Sequence, residues 1–125
     1  FVGINLEHAE DLKRVLANLS PDRLRSVFSD LPPEYEVKVE HDPWPANPHK
    51  PTLLPVSGSA REVLVQDVLR HLHKENAPAG YKPHLWVGWR EPDWMPTNRL
   101  QYREKLEEVR KSLAPVMEAL VGCNG

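Results

Sequence analysis

Cysteine is nearly missing from this chain: Cys123 is the only one. No disulfide can form within the chain, so folding does not depend on an oxidising compartment, and the expected setting is intracellular and cytoplasmic. A basic excess is missing too. The 16 Lys and Arg residues stand against 18 Asp and Glu, for a net charge of −2. The longest basic groupings are pairs such as Lys13-Arg14 and Arg110-Lys111, each flanked by acids, which read as solvated helix faces. A protein that grips nucleic acid through its phosphates carries a basic stripe, so nucleic-acid binding is not expected. No apolar run approaches the roughly 20 residues that span a bilayer, and no signal-peptide pattern opens the chain, so no membrane partner is expected. The first residue is Phe1 rather than Met, which leaves open a domain excised from a longer chain or a processed product.

Catalytic signatures are also scarce. His71 and His73 stand two apart in a helical stretch, so their side chains point about 200° apart and cannot share a metal. Two histidines one helical turn apart, as in metalloproteases, do not occur. No serine lies in a G-x-S-x-G elbow, and there is no Walker lysine or Rossmann glycine set. Cys123 lies too near the end for a base to be positioned beside it. The expectation is therefore no cofactor and no catalytic residue.

What is present is enough for one domain over residues 1–125: 40% of the residues are hydrophobic, ample for a core at this length. Proline is abundant, with 13 residues against an average usage of roughly 5%. The prolines divide the chain into segments of distinct period. Leu12, Val15, Leu16 and Leu19 recur at helical spacing from about His8 to Leu19. Ser20-Pro21 then starts a second helix, with Leu24, Val27, Phe28 and Leu31 on one stripe, and Pro32-Pro33 stops it. From Tyr35 the period becomes two: Tyr35, Val37, Val39 and His41 alternate with Glu36, Lys38 and Glu40, the pattern of a half-buried strand ending at Asp42-Pro43. A long connection over 43–59 follows, with one extended piece near 52–56. A third helix is expected from Ala60 to about Asn76, capped from Ser57-Gly58-Ser59, where an anion held with Lys50 and Arg61 is the alternative to simple capping. Pro83–Arg90 reads as a second strand and 97–121 as a last helix bent at Pro115.

These segments predict an α+β fold: a small antiparallel or mixed sheet of two to three strands packed against about four helices, in the order α-α-β-α-β-α. In the last helix Tyr102, Leu106, Val109, Leu113, Val116 and Leu120 form a short heptad seam. It fits packing on the chain's own sheet, with homo-oligomerisation through this helix as the alternative.

Tryptophan is the compositional anomaly. Trp86, Trp89 and Trp94 fall close together, Trp44 lies in the run DPWPANPHKP, and Arg90 and Arg99 border the cluster. Trp and Arg are frequent binding hot spots, and prolines lower the ordering cost of the loops that carry them. Trp44, Trp86, Arg90, Trp94 and Arg99 are therefore the candidate binding residues, for a protein or peptide partner on a non-catalytic interaction domain. Trp89 reads as core. The alternative is a small enzyme or ligand-binding protein with a polar pocket of His41, His84, Arg90 and Asp93. In that arrangement His41 and His84, with Asp42 or Asp93, would form a two-histidine, one-carboxylate metal set.

Overall fold

Alternation along Tyr35–Pro43 and Tyr81–Trp89 gives each of these two strands one apolar and one polar side, and the pairing between them organises the rest. The computed structural model describes residues 2–7, 9–90 and 93–121. The helix start expected at His8, and Cys123, lie outside the described residues. In chain order the elements are β1 (Val2–Leu6), α1 (Ala9–Asn18), α2 (Pro21–Ser29), β2 (Tyr35–Pro43), β3 (Leu53–Ser59), α3 (Val65–Leu72), a 3-10 turn at Lys74–Asn76, β4 (Tyr81–Trp89) and α4 (Arg99–Val121). The sheet has four strands in the order β1-β4-β2-β3, and every pairing is antiparallel.

This corrects the expected fold. The order is β-α-α-β-β-α-β-α, and two strands are additional or longer than the periodicity indicated. β1 is the short run VGINL, whose Gly3 and Asn5 have low strand propensity. Gly3 is required there: a Cβ would lie 2.7 Å from the Val87 carbonyl oxygen and 2.8 Å from the Trp86 indole. β3 contains Pro55 and Gly58, which weaken a strand and confine it to a sheet edge, its position here. Pro83 lies in an inner strand, but β1 stops opposite Leu85, so at Pro83 β4 has a neighbour only on its β2 side.

The third helix is shorter than expected because Ser57–Ser59 belong to β3. The Ser59 hydroxyl accepts from the Arg61 N–H at 3.3 Å in a turn, and α3 starts without a side-chain cap. The anion alternative loses both cations: the Arg61 guanidinium donates to the Leu31 carbonyl, and the Lys50 ammonium lies 5.8 Å from the Tyr81 ring centre. The second helix starts as the sequence indicates, with the Ser20 hydroxyl accepting from the Arg23 N–H and Pro21 in the first turn.

The core forms where the helices meet one face of the sheet. Tyr35, Val37 and Val39 of β2, Leu85, Val87 and Trp89 of β4, and Ile4 of β1 pack with Leu12, Leu24, Phe28, Val68, Leu72, Val109 and Val116. In α4, Val109, Leu113, Val116 and Leu120 of the heptad seam are buried within the chain, against α2, β1 and β4. These four positions of the seam pack on the chain itself, while Tyr102 at its start is exposed. No helix among the described residues is long and apolar enough to cross a membrane.

Candidate functional site

The two faces of the sheet separate the sequence candidates. His41 follows Val39 on the helix side and is only 3% exposed. Its Nε2 donates to the His71 carbonyl at 2.8 Å, and the two rings lie 5.8 Å apart. His41 is thus a hydrogen-bonded core histidine. His84 has the opposite parity in β4 and projects from the other face, beside Glu40, its cross-strand partner. The structure therefore does not bring His41 and His84 together. Asp93 is exposed and follows the far end of β4, at a distance from His84.

What the structure does bring to His84 are two carboxylates of β2. The His84 Nδ1 lies 3.4 Å from Asp42 Oδ2 and 3.8 Å from Glu40 Oε2, with the three side chains 16%, 27% and 30% exposed respectively. The other ring nitrogen, Nε2, lies 2.8 Å from Asn5 Oδ1 of β1, and the Thr52 hydroxyl donates to Asp42 Oδ1 at 3.3 Å. Next to this group a shallow cavity of about 270 Å³ is lined by Lys38, Glu40, His84, Trp86 and Arg90. The Lys38 ammonium lies 5.5 Å from the Trp86 ring centre, and Arg90 approaches Glu36 at 3.7 Å. Glu40 and Asn5 were not singled out from the sequence. The alternation of β2 put Glu40 on the right face, but only the register with β4 and the presence of β1 show what it meets.

The tryptophans do not form one patch. Trp94 is half-buried, with its ring 5.3 Å from and edge-on to Trp89, which is 6% exposed and has the Lys105 ammonium 4.6 Å from its ring centre. Trp86 lies on the polar sheet face over Gly3. Trp44 follows Pro43, which pairs with Tyr81, whereas Trp94 packs at Trp89. The eight residue steps of β4 between those points span about 26 Å at roughly 3.3 Å per residue. Arg99 is exposed at the start of α4.

Trp44 instead stands over a different feature. It is 60% exposed, and the Lys82 ammonium lies 4.1 Å from its ring centre. Its loop is braced: the Trp44 N–H donates to the Gly80 carbonyl at 2.8 Å, and the Tyr81 hydroxyl to the Pro51 carbonyl at 3.0 Å. Beneath it a groove of about 900 Å³ runs between α1, the end of α3 and the start of β4. Leu12, Leu16, Leu72 and Pro83 line its apolar part, and Lys13, Lys74 and Lys82 with Glu7 and Glu75 line its rim. The helical stripe of α1 was legible as core. That its outer edge stays open beside Trp44 was not, because this depends on how α1 sits against the end of α3.

No known family model matches the chain, and no curated protein or solved structure matches it.

Proposed function

We propose that this protein is a peptide-binding domain that takes an acidic, amphipathic segment of a protein partner into the groove beneath Trp44. The observation that carries this reading is a largely exposed indole on a braced loop over an apolar groove of about 900 Å³. Sites that bind ligands are concave and mostly apolar, with a few polar groups that fix orientation. Leu16, Leu72 and Pro83 supply apolar contact, and the Trp44 ring supplies an anchor of the kind that dominates interface energies. Three lysines against two glutamates at the rim favour an acidic occupant. Lys82 already holds its charge over the indole, and Lys13 has no partner among the described residues, so both are poised for a carboxylate.

The test is selection from a displayed peptide library against the wild-type chain. The selected peptides should combine apolar residues with Asp or Glu. Trp44→Ala should weaken their binding about 30-fold, the equivalent of losing a hot spot of about 2 kcal/mol. Its thermal stability should change little, since the side chain is exposed. Peptides that bind Trp44→Ala as well as the wild type, or a selection that enriches no acidic sequence, would reject the reading.

A further inference from the structure

We propose that the polar face of the sheet, separately from the groove, binds one divalent transition-metal ion through Glu40, Asp42 and His84. The three side chains belong to the two inner strands. Glu40 and Asp42 share a face two residues apart on β2, and His84 is directly opposite Glu40 on β4. One donor atom from each lies within 4.8 Å of the others. Bonds of about 2.0–2.2 Å to a metal place neighbouring ligand atoms about 3.0–3.5 Å apart. His84 and Asp42, at 3.4 Å, already have that spacing, and Glu40 Oε2 stands 3.8 Å from His84 Nδ1.

The orientation of the imidazole points the same way. Asn5 Oδ1 accepts at 2.8 Å from His84 Nε2, which leaves Nδ1 turned toward the two carboxylates. Acceptors turned toward one another need a positive centre between them. The two carboxylate oxygens stand 3.4 and 3.8 Å from Nδ1, a spacing that suits donors grouped around an ion. No lysine among the described residues neutralises the pair. Lys82, the cross-strand partner of Asp42, directs its ammonium to Trp44, and Lys38 lies over Trp86.

Two of the three ligands also have an outer partner, Asn5 for His84 and Thr52 for Asp42, the arrangement by which metal sites orient their ligands. One imidazole with two carboxylates suits zinc or manganese better than calcium or magnesium, which prefer oxygen ligands alone. Glu40 and His84 also line the cavity beside Lys38, Trp86 and Arg90, which leaves room for water or an anionic group next to the ion.

Isothermal titration of the metal-free wild-type chain with Zn²⁺ and with Mn²⁺ should show one saturable equivalent for at least one of them, with Ca²⁺ and Mg²⁺ weaker. Glu40→Gln and Asp42→Asn should abolish it, and Asn5→Ala should weaken it by about 10-fold or more. Circular dichroism establishes that each variant is folded. If a variant does not fold, the wild-type ¹⁵N spectrum decides: the metal should shift the His84 Nδ1 resonance and leave His41 in place. No stoichiometric binding, binding that survives both carboxylate changes, or shifts confined to other histidines would overturn the proposal.

Discussion

His41 and His71 show how the same residue type acquires different work from burial alone. The His71 Nδ1 is buried without a hydrogen-bond partner, and its Nε2 lies 3.5 Å from the Arg70 guanidinium. Burial, then Arg70, then His41 hold its pKa below the ordinary value of 6.5, with Asp67 acting weakly in the other direction. The folded protein therefore resists protonating this ring while the unfolded chain does not. Its contribution to stability is complete above pH 6.5 and is lost as the pH falls below that value. Between about pH 7.5 and 5.5, the range where histidines titrate, the melting temperature of the wild type should fall more than that of His71→Gln. Equal slopes would show that His71 does not contribute. At this scale the sequence supplied residue types but not partners. His84 and Asp42 were both candidates, while Glu40 was one of several acids, and nothing in its neighbours marks it.

Among the elements, those with a clean period were legible and those without one were not. The alternation of β2 and the helical stripes of α1, α2 and α4 follow from where their apolar residues fall, and Ser20-Pro21 marks a helix start that the Arg23 N–H bond realises. β1 escaped notice although Ile4 and Leu6 alternate with Gly3 and Asn5, because five residues with a glycine carry little propensity. β3 was legible only as an extended piece near 52–56, because its proline and glycine argue for a loop until an edge position makes them tolerable. The glycine in β1 is itself a packing device, since the Trp86 indole lies across it. Gly3→Ala should force the indole and the β1–β4 pairing apart and cost about 1–3 kcal/mol in urea unfolding. A loss below about 0.5 kcal/mol, typical of a neutral surface change, would mean that Trp86 moves aside freely.

For the whole molecule, topology decides which candidates can cooperate. β1 and β2 are parallel with β4 between them, and β3 and β4 are parallel with β2 between them, so two split β-α-β units interlock in one sheet. This arrangement turns His41 inward and His84 outward, and it puts Trp44 and Trp94 at opposite ends of β4. Sequence proximity grouped Trp86, Trp89 and Trp94, yet strand parity sends Trp86 to the polar face and Trp89 into the core. The four tryptophans therefore report four distinct environments, and the indole N–H region of a ¹H–¹⁵N spectrum reads them separately. Adding a peptide selected on the wild-type chain should shift the Trp44 resonance and leave those of Trp89 and Trp94 in place. A shift at Trp94 or Trp86 without one at Trp44 would contradict docking in the groove beneath Trp44.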